Sequence, residues 1–309
     1  MNRKKFISAG VGIGLTTQVL EPKKKNTTAV NSFRLAHLTD LHIFPKKGVP
    51  EKISAAFADA KNKGADAYLV GGDCIMDALK ESKSDTRAQW KLWHEVTENL
   101  ELPMHNCVGN HDVWGWAMKE GTKSKGEYGK NWAMEELKLS QRYYHFSKGS
   151  WDFLVLDSVF PSFQTKRGYT ARLDEVQVRW LEETLAKIPK ERNICILSHI
   201  PIISFCPFFD GKNEESGTWV IPHEWIHIDA RSIKNIFKKY KNIKLCLSGH
   251  IHLHDHVRYL GIDYLCNGAV SGNWWNQKEP AYQEFPPAYV MVEFFEDGRF
   301  SSEYIPFQS

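Results

Sequence analysis

Aspartate, asparagine and histidine recur in this sequence in short polar motifs. In chain order the motifs are Asp40-Leu41-His42, Gly72-Asp73, Gly109-Asn110-His111-Asp112, Ser198-His199 and Gly249-His250-Ile251-His252. Carboxylates and imidazoles are ligands for Mn, Fe and Zn. Taken singly, each motif is equally typical of a turn, a helix cap or a hydrogen-bonded histidine. Taken together and in this order, the motifs indicate a metal centre, if the fold brings them to one place.

Each motif follows a short apolar run of the kind that forms a β-strand. The runs are residues 33–38, 67–70, 105–108, 194–197 and 243–247, and helical patterns lie between them over 51–63, 86–100, 174–187 and 230–241. Alternating strands and helices predict βαβ units. Ligands in such sheets bind beyond the carboxyl ends of the strands. We therefore expect the five motifs to converge on one sheet edge.

The later part of the chain is more purely strand-like. Residues 143–157, 257–265, 289–295 and 300–304 are rich in β-branched and aromatic residues and lack helical periodicity. These segments predict a second sheet packed on the first. The fold class expected from the sequence is therefore α/β, with two packed mixed β-sheets flanked by helices in an αββα sandwich.

The ordered set D-x-H, G-D, G-N-H-D, H and G-H-x-H resembles the calcineurin-like metallophosphoesterase superfamily, from Phe33 to about Phe307. The resemblance implies the fold of that superfamily, hydrolysis of a phosphate ester, and two metal ions (Mn, Fe or Zn). By resemblance, one metal is held by Asp40, His42, Asp73 and His252, and the other by Asp73, Asn110, His199 and His250. Two cations bridged in this way hold a hydroxide that attacks phosphorus, and they neutralise the transferring phosphoryl group.

His111 follows the expected ligand Asn110 and by resemblance protonates the leaving group. Asp112 would orient His111 and favour its charged form. The alternative is that His111 only donates a hydrogen bond to a substrate oxygen.

The residues around the motifs differ from those of some branches of the superfamily and so indicate which branch this chain resembles most. Protein Ser/Thr phosphatases resemble G-D-x-V-D-R-G after the second strand, whereas Gly72-Asp73 is followed here by Cys74-Ile75-Met76-Asp77. Purple acid phosphatases carry a tyrosine where this chain has Met76. The chain looks most similar to the small cyclic-nucleotide and glycerophosphodiester phosphodiesterases, although it has His199-Ile200-Pro201 where that branch often has His-His-Pro.

Aromatic residues flank the metal motifs. Trp114 follows the Asn110 loop, the pair Trp274-Trp275 follows Gly272-Asn273, and further aromatics lie in residues 201–228. Aromatic faces near a phosphate site can stack a nucleobase or line an apolar groove. We therefore consider Trp114, Trp274 and Trp275 candidate substrate-binding residues and 201–228 an insert over the site. The alternative for each is ordinary packing.

The charge distribution disfavours a nucleic-acid partner. Residues 1–25 contain six bases and one acid, a net of +5, which leaves −2 for the rest of this +3 chain. A nearly neutral body lacks the basic stripe that binds phosphate backbones. The expected partner is a small organic phosphate substrate.

The first 30 residues resemble an export signal followed by a linker. Arg3-Lys4-Lys5 precedes an uncharged run over 6–20 that is too short for a membrane span, and the opening is twin-arginine-like with one arginine replaced by lysine. This pattern predicts an exported enzyme with a catalytic domain over 31–309. The alternative is an N-terminal extension on a cytoplasmic enzyme. Although exported proteins often carry disulfides, Cys195 and Cys246 lie in apolar runs, so we expect free buried thiols.

Two other functions compete with that of an exported phosphoesterase. One is a binding protein on a degenerate fold, which retention of the full ligand set disfavours. The other is a nuclease of the same superfamily, which the nearly neutral body disfavours. Substrate, metal pair and oligomeric state are not specified by these motifs.

Overall fold

Apolar runs form the strands of the protein, described here from a computed structural model over residues 31–118, 126–162, 164 and 166–307. The predicted export signal lies outside these residues. Within them the strands are β1 (Ser32–Leu38), β2 (Ala67–Val70), β3 (Met104–Asn106), β4 (Tyr144–Lys148), β5 (Trp151–Leu156), β6 (Val159–Pro161), β7 (Tyr169–Ala171), β8 (Asn193–Ser198), β9 (Ile243–Ser248), β10 (Asp255–Tyr259), β11 (Ile262–Cys266), β12 (Ala288–Phe295) and β13 (Phe300–Pro306).

Four of the described helices lie close to the predicted helical patterns, whereas the short helix over 131–136 was not predicted. In chain order the described helices are α1 (Val49–Asn62), α2 (Lys83–Thr97), α3 (Asn131–Glu136), α4 (Glu175–Lys187) and α5 (Ala230–Phe237). Ser82 caps α2 and Asp174 caps α4, because their side-chain oxygens accept hydrogen bonds from the amides of Asp85 and Gln177. None of the described helices is long and apolar enough to cross a membrane.

The strands form two main sheets and a short hairpin. One sheet has the order β13-β12-β1-β2-β3, the other has the order β10-β11-β9-β8-β5-β4, and β6 pairs with β7. The β1–β2–β3 and β5–β8–β9–β11 neighbours are parallel, while the pairs β1–β12, β12–β13, β10–β11 and β4–β5 are antiparallel. The predicted two-sheet architecture is confirmed, but some strands belong to a different sheet from the one expected. β8 and β9 join the second sheet, and β12 pairs with β1 in the first.

Three apolar layers hold the sandwich together. Successive residues of a strand face opposite sides of its sheet, so Leu35 packs against the second sheet while Ala36 and Leu38 face α1 and α2. Leu181 and Ile233 cover the outer face of the second sheet from α4 and α5. Helices therefore flank both sheets. All six cysteines are free and buried.

A buried carboxylate joins the β4–β5 hairpin to the start of β8. Asp152 accepts hydrogen bonds from the Ser147 hydroxyl (2.6 Å), from His145 Nε2 (2.7 Å) and from the Arg192 guanidinium. Burial opposes the charged form, but these three hydrogen bonds together hold the pKa of Asp152 below its usual range. The ionised carboxylate is therefore a stabilising element of the second sheet.

We predict that Asp152→Asn lowers the free energy of unfolding by about 1–3 kcal/mol at pH 7, because the partly exposed donors of His145, Ser147 and Arg192 lose a charged acceptor. A carboxylate with a lowered folded pKa stabilises above its unfolded pKa of about 3.9 and ceases to do so as pH falls through the folded pKa. Urea denaturation should therefore show the difference at pH 7 and a smaller one below about pH 4.

Asp297→Asn is the matched control, because Asp297 is exposed and bonds only within its own turn, to Arg299. Its effect should stay within about 0.5 kcal/mol. Equal effects of the two substitutions would contradict the role given to Asp152.

Candidate metal centre

The backbone at the expected ligands adopts a conformation that side chains rarely allow. Five of them have positive φ angles, and these are Asp40 (54°), His42 (48°), Asp73 (52°), His250 (74°) and His252 (61°). The left-handed region costs a residue other than glycine about 1–2 kcal/mol. Strained backbone clusters at functional sites, where the surroundings hold it in place. Here hydrogen bonds between loops do so, from the amides of Asp40 and His42 to the carbonyls of Gly72 (3.1 Å) and Asp73 (3.0 Å).

Two glycines allow the loops to approach each other. A Cβ at Gly109 would overlap the backbone nitrogen and a carboxylate oxygen of Asp73. A Cβ at Gly249 would overlap the side chains of Thr39 and Asp40. The glycines that precede Asn110 and His250 are therefore required by close packing.

The first group of converging donors is formed by Asp40, His42 and His252, all buried. His42 Nε2 lies 3.1 Å from His252 Nε2, and His252 Nε2 lies 3.6 Å from Asp40 Oδ1. His252 Nδ1 donates to the carbonyl of Gly272 (2.9 Å), which leaves the Nε2 lone pair facing the group. Asp40 Oδ1 is buried without a hydrogen-bond partner. These donors fit a cation.

The second group is formed by Asp73, His199 and His250. His199 Nε2 lies 3.2 Å from His250 Nδ1 and 3.3 Å from Asp73 Oδ2. Asn110 Oδ1 lies 3.0 Å from His199 Nε2 and so joins this group. His199 Nδ1 donates to the carbonyl of Gly71 (2.8 Å), which again turns Nε2 inward.

Asp73 lies between the two groups. Its Oδ2 atom is 3.3 Å from His199 Nε2 and 3.7 Å from His42 Nε2, so one carboxylate reaches both. All seven expected ligands are thus brought together. The loops after β1, β2 and β3 come from one sheet and those after β8 and β9 from the other, so the predicted convergence occurs where the edges of two sheets meet.

Burial sets the protonation of these groups. It lowers the pKa of His42 and His250 well below the usual histidine range, which leaves the neutral imidazoles that metals bind. For Asp73, burial opposes ionisation, yet neighbouring His199 and His111 hold its pKa well below normal. Burial likewise opposes charge on His199, but Asp73 raises its pKa to about 9. A buried acid among imidazoles is a site in which divalent cations replace protons.

Asp112 has a different role from the one expected from the sequence. Its carboxylate accepts hydrogen bonds from the backbone amides of Asp73 (3.0 Å), Cys74 (2.8 Å) and Gly109 (2.8 Å), and none of these goes to the imidazole of His111. Burial and the nearby Asp73 raise the pKa of Asp112 to about 6. Asp112 therefore fixes the loops that carry the ligands.

Asp77 is the carboxylate that faces His111. His111 Nδ1 lies 3.5 Å from Asp77 Oδ1, and the His111 amide donates to Asp73 Oδ1 (2.8 Å). Burial opposes protonation of His111, but Asp73 and Asp77 together raise its pKa. Asp77 was missed because it lies four residues after Asp73, outside the motif, and only the fold brings it near His111.

The three candidate substrate tryptophans have different surroundings. Trp274 is 38% exposed, and its ring lies 4.1 Å from that of His42 and 4.6 Å from that of His252, at the mouth of the site. Trp275 is buried and donates from Nε1 to the carbonyls of Leu41 (2.9 Å) and His42 (3.2 Å), so it supports the metal loop. Trp114 lies in the core and donates to the Glu81 carbonyl. Trp274 is the one of the three that lines the cavity.

The cavity above the donors has a volume of about 210 Å³. Besides the expected residues, its lining includes Arg167, Tyr169, Asp210, Trp225 and Tyr282. Asp210 and Trp225 belong to the predicted insert over 201–228, which does border the site. Arg167, Tyr169 and Tyr282 lie in segments that carry no motif, so they could not be identified from the sequence.

Two packed mixed sheets with clustered Asp, Asn and His ligands beyond their strands define a class of metal-dependent hydrolases. The profile of the calcineurin-like phosphoesterase family matches residues 33–254. The chain therefore belongs to the calcineurin-like phosphoesterase family, as its motifs predicted.

Individual proteins agree with this assignment. The chain is 21% identical to a 3',5'-cyclic-nucleotide phosphodiesterase of Nostoc sp., over 77% of this chain and 75% of that one. It is 23% identical to the "Probable glycerophosphodiester phosphodiesterase GpdQ" of Arcobacter nitrofigilis, over 54% and 52%. A dimetal phosphatase from Danio rerio has the same fold, with a TM-score of 0.61 and 12% identity over 89% of this chain and 99% of that one.

We predict that the wild-type protein binds two metal ions per chain and that His252→Ala reduces this to about one, because the first donor group loses an imidazole. Elemental analysis after loading with Mn²⁺ or Zn²⁺ and dialysis measures the ratio. His256→Ala is the control, since His256 is half-exposed and pairs with Asp263 (2.8 Å). Equal metal content in the two variants would contradict the assignment of His252.

Proposed function

We propose that this protein hydrolyses a phosphodiester of small or medium size with two metal ions held by the seven ligands named above. The observation that carries the proposal is the Asp73 carboxylate, which reaches imidazoles of both donor groups. When bound, the two cations supply a nucleophilic hydroxide and neutralise the phosphoryl charge. The ligand set is complete, and six of its seven members are buried, which disfavours a degenerate binding protein.

His111 is placed to act on the substrate. It lines the cavity next to Asp73 and Asn110, and its ring lies 5.0 Å from that of His42. With Asp77 at Nδ1, the Nε2 atom is free to donate a proton to the oxygen that leaves phosphorus. We assign His111 as the general acid and Asp77 as the residue that positions it.

The size and lining of the cavity suit a small phosphate ester. About 210 Å³ is less than the 300–1,000 Å³ typical of sites that enclose a drug-sized ligand, so the phosphoryl group and a small part of the substrate fit inside. Arg167 adds a positive charge at the wall. The names of the Nostoc and Arcobacter relatives also indicate phosphodiesters.

We predict that His111→Ala slows hydrolysis of a dialkyl phosphate, from which an alkoxide leaves, by about 10²–10⁴-fold, and slows hydrolysis of bis-nitrophenyl phosphate, from which nitrophenolate leaves, much less. Nitrophenolate needs little protonation, whereas an alkoxide requires it. The measurement is kcat for diesters with leaving groups of graded basicity. Equal losses across the series would assign His111 to substrate binding instead.

Asp77→Asn should reproduce the leaving-group dependence in weaker form, with kcat reduced more than KM changes. Retention of two metals in both variants shows that the effect does not arise from the metal centre.

A parallel assay of nitrophenyl phosphate and bis-nitrophenyl phosphate with Mn, Fe or Zn identifies the active metal and the ester class. No activity on either ester with metals bound would contradict the proposed function.

We further propose that the N-terminal 30 residues direct export. The support is the charged opening Arg3-Lys4-Lys5 followed by the uncharged run over 6–20. Replacing Arg3 and Lys4 by Gln should move the protein from the extracytoplasmic to the cytoplasmic fraction of producing cells. An unchanged distribution would contradict export through this signal.

A further inference from the structure

The segment 201–228 carries a group of exposed aromatic side chains. Phe205, Phe209 and Trp219 are 57%, 55% and 51% exposed, and Phe208 is half-buried beside them. The rings of Phe205 and Phe208 lie 5.1 Å apart, and those of Phe208 and Trp219 lie 5.3 Å apart. We name these four residues the aromatic knob. A contiguous exposed apolar patch of this kind marks a binding surface.

Hydrogen bonds hold the aromatic knob in one shape. Asp255 Oδ2 accepts from the Ser204 hydroxyl (2.9 Å) and from the amides of Phe205 (2.6 Å) and Cys206 (2.8 Å). Asn213 Nδ2 donates to the carbonyl of Pro207 (2.8 Å), which closes the loop around the rings. A binding surface ordered in advance loses less conformational entropy when its partner arrives.

The charges around the aromatic knob restrict its partner. Residues 205–220 contain the acids Asp210, Glu214 and Glu215 and the base Lys212, a net of −2. Negative charge disfavours nucleic acids and anionic membranes. Aromatic faces attract quaternary ammonium groups, and nearby carboxylates complement their charge. Zwitterionic phospholipids present such cations at the outer surface of a bilayer.

The aromatic knob is continuous with the catalytic cavity. Asp210 and Gly211, directly after Phe209, line the cavity, and the Tyr282 hydroxyl donates to Asp210 (2.5 Å). Tryptophan favours the membrane–water interface, and exposed phenylalanine rings enter the boundary between headgroups and acyl chains. We propose that the aromatic knob docks this protein on the surface of a zwitterionic phospholipid bilayer, with the mouth of the metal cavity beside the headgroups. The docking goes beyond the proposed hydrolysis and does not depend on it.

The test uses the full-length protein and vesicles of phosphatidylcholine, with the bound fraction measured by sedimentation. The double variant Phe209→Ser/Trp219→Ser should bind at least about tenfold more weakly, because two large side chains no longer enter the interface. Tyr259→Ser is the control, since Tyr259 is an aromatic residue that is 46% exposed but does not belong to the aromatic knob. It is the last residue of β10, whereas Asp255, which holds the aromatic knob, is the first. The control should bind like the wild type, and all three proteins should have equal melting temperatures and equal activity on bis-nitrophenyl phosphate.

Several outcomes overturn the proposal. They are absence of wild-type binding, equal binding by the double variant, and binding only when anionic lipid is added. Light scattering that shows a dimer abolished by the double substitution, without vesicle binding, would assign the aromatic knob to a second copy of the chain. Vesicle binding by a protein without esterase activity would support the docking and contradict the proposed hydrolysis, so the two claims fail separately.

Discussion

The buried carboxylate of Asp73 is the charge around which the rest of the site is organised. An isolated carboxylate at such depth is costly unless cations or hydrogen bonds compensate it. Here Asp73 is 1% exposed, and imidazoles from loops after β1 and β8 approach its Oδ2 atom. To compensate this charge with ligands from both sheets, the fold brings the carboxyl ends of strands from the two sheets to one edge. The αββα sandwich does so because its parallel strands run toward the same side.

The ligand residues have a strained backbone, and the surrounding sandwich holds it in place. Asp40 and Asp73 are held in left-handed conformations by hydrogen bonds between neighbouring loops. Asp112 adds hydrogen bonds to three amides of these loops, and Gly109 and Gly249 permit the close contacts. Contacts within the protein therefore fix the loops that carry the ligands.

Much of the fold and of the ligand set could be predicted from the sequence, because local signals are strong there. Apolar runs that end in polar ligands mark the strands, and the order of the motifs identifies the family. Contacts between distant segments could not be predicted. Asp77 faces His111, and Trp114 is buried, only because of how the loops after β2 and β3 pack. The pairing of β12 with β1 is likewise a long-range choice between two possible sheets.

The insert links the metal site to the outer surface of the protein. Asp210 lines the catalytic cavity, while the adjacent Phe209 ring is exposed. Substrate choice is therefore expected to depend on the residues of this segment that line the cavity, Asp210 and Trp225, more than on the metal ligands. The most direct test of the central claim is anomalous diffraction from crystals loaded with Mn²⁺. The account predicts two metal peaks about 3.5–4 Å apart, both in contact with the Asp73 carboxylate. A single peak, or two peaks of which one does not contact Asp73, would contradict it.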